Sequence, residues 1–136
     1  PKAKAVVAFF PVTNLERWAQ TTQNGDVKEG YIPNVCAKGL GLQAKSPIYA
    51  ACRIDAPTLL IHGDQDTRVP MDQSLDMAKA MLDCRKKVQF QLVKGGEHTL
   101  KKDHKGWIEA WEHTKTFLAQ HLKQIPPQKP RKPEGN

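Results

Sequence analysis

Long apolar runs are missing from this sequence of 136 residues. The longest, residues 5–12 and 58–61, are far shorter than the roughly 20 consecutive apolar residues that cross a bilayer. We therefore expect no membrane-spanning segment. The amino terminus also lacks a basic stretch followed by an apolar run, which is the pattern of a secretory signal. On this ground the sequence favours a cytoplasmic protein.

Cysteine is scarce as well. The three cysteines, Cys36, Cys52 and Cys84, are odd in number and show neither a C-x-x-C pair nor the spacing of zinc ligands. None of them lies in a strand-to-helix elbow, where a catalytic thiol would be expected. We interpret them as three reduced thiols of a cytoplasmic protein, without a metal or a catalytic role.

Clustered positive charge is also missing. The net charge of +7 comes from 21 Lys and Arg against 14 Asp and Glu, and the basic residues are scattered along the chain and through its proline-rich end. A nucleic-acid-binding surface would need them gathered on one face with aromatic residues among them. We therefore expect no nucleic-acid partner.

What the sequence does contain is an alternation of strand-like and helix-like segments. Residues 5–10, 58–61 and 88–93 are rich in β-branched and aromatic side chains and predict three strands. Residues 71–82 and 104–124 repeat apolar side chains every three or four positions, which predicts two amphipathic helices. The positions of these two stripes, all expected to be buried, are Met71, Leu75, Ala78, Met81 and Leu82, then Trp107, Ile108, Trp111, Thr114, Leu118, Leu122 and Ile125.

Strands that alternate with helices indicate a parallel sheet, because each crossover must return the chain to the same edge. The predicted fold class is therefore α/β, with about three parallel strands, flanking helices and a carboxyl-terminal amphipathic helix. The segment from 13 to 55 is irregular apart from a short helix at 15–19. We expect one domain over residues 1–124 and a disordered, basic, proline-rich tail over residues 125–136.

Chemistry in a parallel sheet gathers in the loops beyond the carboxyl ends of its strands. Here those loops carry Asp66 after the second predicted strand and His98 after the third. If the two strands are neighbours, both side chains emerge at one edge and form a base with its orienting carboxylate. The alternative is that both are ordinary polar loop residues, since Asp favours turns and His98 follows two glycines.

At these residues the sequence resembles a known family. The segments PTLLIHGDQDTRVP, with QS shortly after it, and VQFQLVKGGEHTL look like the carboxyl-terminal half of an α/β-hydrolase of the prolyl oligopeptidase type, which includes acylaminoacyl and dipeptidyl peptidases and related esterases. AVVAFFPVTNLERW and SPIYAACRIDAP are similar to the strand after the nucleophile helix and to the lead-in to the next strand. The resemblance covers residues 3–122 and implies a partial α/β-hydrolase fold.

The resemblance implies that Asp66 is the acid and His98 the base of a catalytic triad. Asp64 is the alternative carboxylate, and His62 is interpreted as a structural residue at the strand end. The family's nucleophile motif, G-x-S-x-G, does not occur in these 136 residues, and we expect it in a segment that precedes them. Two serines remain, in the lead-in segment and in the first amphipathic helix, and neither context is a nucleophile elbow: Ser46 and Ser74.

The implied function is that of the carboxyl-terminal portion of a serine hydrolase, a peptidase or esterase that transfers acyl groups to water without a metal or organic cofactor. Its substrate in the complete enzyme would be a peptide or an ester. The isolated chain is expected to be inactive. The alternative is a non-catalytic binding or self-associating module derived from the same fold. The expected partner is the missing amino-terminal half or a second copy of this chain in a homodimer, because the first strand has an unpaired apolar edge.

Overall fold

The computed structural model describes residues 2–36, 41–99 and 104–122. The expected domain boundary and the proline-rich tail at residues 125–136 lie outside the described residues.

Three parallel strands form the centre of the chain. They are β1 (Val6–Phe9), β2 (Thr58–Gly63) and β3 (Val88–Val93), in the spatial order β1-β2-β3. Val6 lies opposite Thr58, and Thr58 lies opposite Val88. The predicted parallel sheet is confirmed, and all three strands end at the same edge.

Helical segments occupy the connections and the carboxyl-terminal part. Asn14 caps the first of them, because its side chain accepts a hydrogen bond from the backbone N–H of Arg17 at 3.0 Å. In chain order these segments are α1 (Leu15–Thr21), a π-helix (Asp26–Tyr31), α2 (Ile32–Cys36), two 3₁₀ helices (Gln43–Lys45 and Pro47–Arg53), α3 (Asp72–Asp83) and α4 (Lys105–Leu122).

The central strand separates two apolar cores. All six residues of β2 are buried, because the strand has a neighbour on each side and a helix on each face. Leu59 and Ile61 pack with Trp107 of α4 on one face, and Leu60 packs with Met77 of α3 on the other. The molecule is thus a three-layered α/β structure with β2 as its most buried element.

The buried face of α3 differs from the predicted stripe. Leu75 is 40% exposed and Leu82 is 60% exposed, so these two residues were wrongly expected in the core. The expected burial of Met81 is confirmed, and the other buried residues of the helix are Gln73, Ser74 and Met77, which the stripe did not include. The polar residues Gln73 and Ser74 can be buried because hydrogen bonds to other parts of the fold satisfy them. Apolar periodicity in the sequence does not reveal such bonds.

The prediction for α4 was also wrong in part. Ile108, Trp111 and Leu122 are 49%, 55% and 39% exposed, whereas the expected burial of Trp107 and Thr114 is confirmed. Ile125, the last position of the predicted stripe, lies outside the described residues. The apolar face of this helix is wider than the surface that three strands present. The near-continuous apolar run at residues 5–10 is typical of a strand buried on both faces, but each of the four residues of β1 is only partly buried. Among the described strands, β1 pairs with β2 alone.

A disulfide joins Cys52 in the second 3₁₀ helix to Cys84 at the end of α3. The expectation of three reduced thiols is therefore wrong. The two residues are 32 positions apart in sequence, but packing of the 3₁₀ helix on α3 places their Cα atoms 5.2 Å apart, a separation that suits a disulfide. Such a pairing depends on tertiary packing, so the cysteine spacing in the sequence did not reveal it.

Candidate active site

The two loops that follow β2 and β3 are hydrogen-bonded to each other. The backbone N–H of Gln65 donates to the carbonyl of Gly96 at 3.0 Å, and the N–H of Gly95 donates to the Asp64 carboxylate at 2.6 Å. A Cβ on Gly63 would overlap the carbonyl of Gly96, so the loops approach this closely only because that position is glycine. The carboxylate of Asp64, the alternative triad acid, is thus engaged by the neighbouring loop.

Asp66 and His98 meet at this edge. The Asp66 carboxylate Oδ2 and the His98 Nδ1 are 2.7 Å apart, so the predicted contact is present. The Asp66 side chain is fully buried, while that of His98 is 28% exposed. Because a carboxylate oxygen accepts, Nδ1 of His98 donates, and Nε2 of the neutral ring is left as an acceptor. This is the arrangement of a base held by an orienting carboxylate.

The second oxygen of Asp66 is held by the backbone. Oδ1 accepts from the N–H of Arg68 at 3.0 Å and from the N–H of Val69 at 2.8 Å. The turn that presents the carboxylate is therefore closed by the carboxylate itself, as in other turns that begin with Asp. The carbonyl of Arg68 in turn accepts from the Trp18 indole Nε1 at 3.0 Å, which ties the turn to α1.

His62, at the end of β2, has no exposed surface. Its Nε2 is 2.8 Å from the carbonyl of Val69 and 3.3 Å from Asp66 Oδ2, and its Nδ1 is 2.7 Å from the hydroxyl of Ser74. Burial lowers the pKa of His62 below its ordinary value of 6.5. The interpretation of His62 as a packed residue at the strand end agrees with this environment.

Gln73, next to Ser74 on α3, holds the loop that follows β1. Its Oε1 accepts from the backbone N–H groups of Thr13 and Asn14 at 3.0 and 2.8 Å, and its carbonyl accepts from the Thr13 hydroxyl at 2.5 Å. Gln73 is 1% exposed, so these bonds replace those it would make with water. No sequence pattern marked Gln73 as a site residue, although it is the first residue of the QS pair.

Phe10 is a second residue that sequence reasoning missed. Its ring centroid lies 4.5 Å from that of His98, and it meets the ring of Trp107 edge-on at 5.9 Å. Its φ of 40° is in the left-handed region, which a bulky residue rarely adopts. Strain of this kind persists only where surrounding contacts impose it, and it is common beside functional side chains.

A cavity of about 280 Å³ opens beside His98. Its wall is largely aromatic and aliphatic, and one residue of each charge contributes to it. Beside His98, the lining residues are Phe10, Val12, Trp18, Asp26, Val27, Tyr31, Arg68 and Val69. A small pocket with an apolar wall and a few polar groups is typical of a site for an organic substrate.

The two serines considered earlier have structural partners. The Ser46 hydroxyl donates to the carbonyl of Leu42 at 2.7 Å and accepts from the backbone N–H of Leu15 at 2.8 Å, and Ser74 binds His62. Both serines are buried. Within residues 2–36, 41–99 and 104–122, no group of three His, Cys, Asp or Glu side chains could hold a metal ion. Over the same ranges, no helix is long and apolar enough to cross a membrane.

Comparison with known proteins identifies the family. Residues 3–124 match the model of the prolyl oligopeptidase family. The chain belongs to this family. No curated protein sequence matches it closely enough to count as a relative.

Solved structures show the same fold. Pyrococcus horikoshii acylaminoacyl peptidase superposes with a TM-score of 0.76 at 22% identity, covering 93% of this chain and 22% of the peptidase chain. A puromycin-hydrolyzing peptidase of Mycobacterium tuberculosis gives 0.75 at 22% identity, covering 92% and 19%. Esterase 2 of Thermogutta terrifontis gives 0.66 at 22% identity, covering 93% and 44%.

These likenesses confirm the α/β-hydrolase fold. The chain spans about a fifth of the length of the two peptidases and less than half of the esterase. What it has in common with them is one part of a larger domain.

Proposed function

We propose that this chain is the carboxyl-terminal portion of a serine hydrolase, a peptidase or esterase, in which Asp66 is the triad acid and His98 the triad base. The observation that supports the proposal best is the 2.7 Å contact between Asp66 Oδ2 and His98 Nδ1, at the carboxyl edge of two parallel strands. The contact leaves Nε2 of His98 as an acceptor for a nucleophile's proton, and His98 lines the cavity.

The reaction would be acyl transfer to water. A serine hydroxyl attacks the carbonyl carbon of an ester or peptide, and His98 Nε2 takes the hydroxyl proton. His98 then gives this proton to the leaving alcohol or amine as its bond to the acyl carbon breaks, and water releases the acyl group in a second round. The Asp66 carboxylate stabilises the imidazolium that forms in each round. Every step is proton transfer and acyl exchange, so the proposal needs no metal or organic cofactor.

The nucleophile and the oxyanion hole belong, in this proposal, to polypeptide outside these 136 residues. The sequence has no G-x-S-x-G motif, and Ser46 and Ser74 are buried with structural partners. The solved relatives are about two to five times as long as the part that this chain matches. A segment of that kind has room for the elbow and for further strands of the sheet.

The cavity beside His98 is the proposed place for one side of the substrate. Its aromatic wall includes Trp18 and Tyr31, whose rings meet at 5.6 Å, and such a wall suits an apolar or aromatic group. Asp26 and Arg68 add one charge of each sign. A peptide or ester with an apolar group next to the scissile carbonyl fits these features.

The proposal is tested by the gene and by an assay. The region upstream of the Pro1 codon is read for an in-frame G-x-S-x-G segment, and the longer polypeptide is assayed with p-nitrophenyl acetate. We expect turnover that falls about 10³- to 10⁴-fold in His98→Ala and in Asp66→Asn. The 136-residue chain alone should hydrolyse the ester at the rate of buffer, because it supplies no nucleophile or oxyanion hole. Unchanged turnover in both variants would overturn the assignment.

A second candidate function, a self-associating module without catalysis, is favoured by the apolar surface beside β1. Ile108 and Trp111 are about half exposed, and the ring of Trp111 lies 6.5 Å from that of Phe9 in β1. We propose that a second copy of the chain covers this surface when the 136 residues are alone. The two functions differ in the upstream gene region, which must encode a nucleophile elbow only for the hydrolase.

The cellular compartment is also a proposal. The sequence favoured the cytoplasm partly because the thiols were expected to be reduced. The disulfide between Cys52 and Cys84 argues instead for an oxidising compartment, where most structural disulfides persist. Counting the free thiols of protein isolated from its source cells, with thiols trapped at lysis, distinguishes the two locations.

A further inference from the structure

We propose that His62 and Ser74 form a buried relay that positions the Asp66 carboxylate for His98: Ser74 and the Val69 carbonyl are hydrogen-bonded to His62, and His62 Nε2 lies 3.3 Å from Asp66 Oδ2. This inference rests on the proposed roles of Asp66 and His98, and it assigns positioning roles to two residues that do not touch the substrate. The relay extends that pair to four side chains, in the order Ser74, His62, Asp66, His98.

The hydrogen bonds determine which nitrogen of His62 carries the proton. Nε2 faces the Val69 carbonyl at 2.8 Å and Asp66 Oδ2 at 3.3 Å, and both of these oxygens can only accept. Nε2 therefore bears the hydrogen. Nδ1 is then an acceptor, and the Ser74 hydroxyl at 2.7 Å is its donor. The Ser74 hydroxyl is compatible with this tautomer because it can donate to Nδ1, and the bond holds the ring with Nε2 facing the Val69 carbonyl and Asp66.

The relay acts on a specific oxygen. Oδ1 of Asp66 is fixed by the N–H groups of Arg68 and Val69, whereas Oδ2 lies between two imidazoles, with His62 Nε2 at 3.3 Å and His98 Nδ1 at 2.7 Å. A carboxylate with partners on both oxygens is held against rotation about its Cβ–Cγ bond. The two N–H groups act on Oδ1, so His62 adds a contact on the Oδ2 side beside that of His98.

Burial makes this arrangement hard to replace. The side chains of His62 and Asp66 have no exposed surface, and Ser74 is equally buried. Water does not reach these buried side chains. If His62 is replaced by an apolar residue, no water takes its place beside Asp66 Oδ2. In such an environment a single donor has a large effect on orientation.

The neutral state of His62 also contributes to the positioning of Asp66. Burial is the main reason why its pKa lies below the ordinary value, although the Val69 carbonyl and Asp66 act in the opposite direction. A neutral donor fixes Asp66 without neutralising it. The full negative charge of the carboxylate therefore remains for the imidazolium that His98 becomes during turnover.

The test uses NMR of the 136-residue chain with ¹⁵N-labelled histidine. In the wild-type protein we expect His62 to show the chemical shifts of the neutral Nε2–H tautomer at pH 7, and His98 to show an Nδ1 proton that exchanges slowly with water. His62 in the Nδ1–H or the protonated form would overturn the proposal without any mutation.

Variants then separate positioning from stability. His62→Leu should speed the exchange of the His98 Nδ1 proton about tenfold or more, the effect of losing a hydrogen bond to a charged group. His62→Gln, whose amide can still donate toward Asp66, should restore much of the protection. Ser74→Ala removes the donor to His62 Nδ1 and leaves the ring less firmly held, so it should speed the same exchange by a smaller factor. His113→Leu, at a surface histidine that binds Gln89 and Gln91, is the control and should change nothing at His98.

A purely structural role gives a different result. His62→Leu and His62→Gln would then lower the melting temperature while the His98 Nδ1 proton exchanged as in the wild type, and the proposal would be wrong. If His62→Leu does not fold, the wild-type tautomer and the Ser74→Ala variant still decide. Because these readouts need no turnover, a hydrolase proposal that fails in the ester assay leaves them unaffected.

Discussion

The carbonyl oxygen of Gly96 lies only 2.0 Å from the position that a Cβ on Gly63 would occupy. Gly63 ends β2 and Gly96 follows β3, so this contact sets the distance between the loops that carry Asp66 and His98. A hydrogen bond from the Gln65 N–H to the Gly96 carbonyl also holds the two loops together. The proposed acid and base are thus brought together by backbone atoms two or three residues away.

We predict that Gly63→Ala separates the two loops. A Cβ at this position meets backbone rather than a flexible side chain, so the loop as a whole must move, at a cost of about 1–3 kcal/mol in unfolding free energy. Urea denaturation measures the loss, and the His98 Nδ1 proton should lose its protection at the same time. Gly25→Ala, where nothing lies within 4 Å of the new Cβ, is the control. A variant as stable as the wild type would show that the loops adapt easily.

The second prediction concerns pH. The folded-state pKa of His62 lies below 6.5 because of burial, so below pH 6.5 the unfolded chain binds a proton that the folded chain excludes. Stability should therefore be complete above pH 6.5 and should fall as the pH drops, by at most about 1.4 kcal/mol per pH unit from this residue.

The groups that face His62 are Ser74, the Val69 carbonyl and Asp66, with the charge of His98 nearby. Asp66 favours the protonated form of His62, which limits the pH effect but does not reverse the direction of the shift. The unfolding free energy should be measured from pH 7.5 to 5 for the wild type and for His62→Gln. The unfolding free energy of the variant should depend less steeply on pH than that of the wild type. Equal slopes would mean that His62 has the same pKa in the folded and unfolded states.

The meeting of Asp66 and His98 could be predicted from the sequence because it follows from topology. Adjacent parallel strands end at one edge, and the loops after β2 and β3 each carry one polar residue in the position that the family motif marks. The orientation of the carboxylate could not be predicted. It depends on His62 and Ser74, and the pairing of these two residues is visible only once α3 is packed on the sheet.

Phe10 shows a different limit. Pro11 follows it, and a residue before proline favours extended backbone, so the sequence indicated an ordinary strand end. The observed φ of 40° occurs where the ring packs against His98 and Trp107. Likewise, apolar periodicity predicted that Leu75 and Trp111 face the core. It does not indicate how much of each helix surface a three-stranded sheet can cover. Local pattern does not contain this tertiary information.

The third prediction tests the Cys52–Cys84 disulfide. The non-reduced, denatured protein should contain one free thiol, because two of the three cysteines are bonded. Reduction should lower the unfolding free energy by about 3–4 kcal/mol, as expected for a link that closes a loop of some 30 residues. Cys36→Ser should leave this loss unchanged and should bring the free thiol count to zero. Three free thiols before reduction would show that the bond does not form in solution.

The last prediction concerns self-association through the β1 edge. Val6 and Phe10 donate their N–H groups to carbonyls of the β2 side, Pro57 and Ile61. Because N–H direction alternates along a strand, the intervening Val7 and Phe9 direct theirs to the opposite edge. Within the part of the chain that the structure describes, no strand pairs with β1 there. An unpaired strand edge beside exposed apolar side chains favours pairing with another chain.

We expect the 136-residue chain to form a dimer at micromolar concentration, measured by light scattering coupled to gel filtration. Trp111→Glu should weaken that dimer about tenfold or more, because a desolvated carboxylate opposes association. Leu82→Glu is the matched control, since Leu82 is 60% exposed and lies on α3, across the sheet from α4. A wild-type chain that stays monomeric would show that this edge does not self-associate, and equal weakening by both variants would place the contact elsewhere on the molecule.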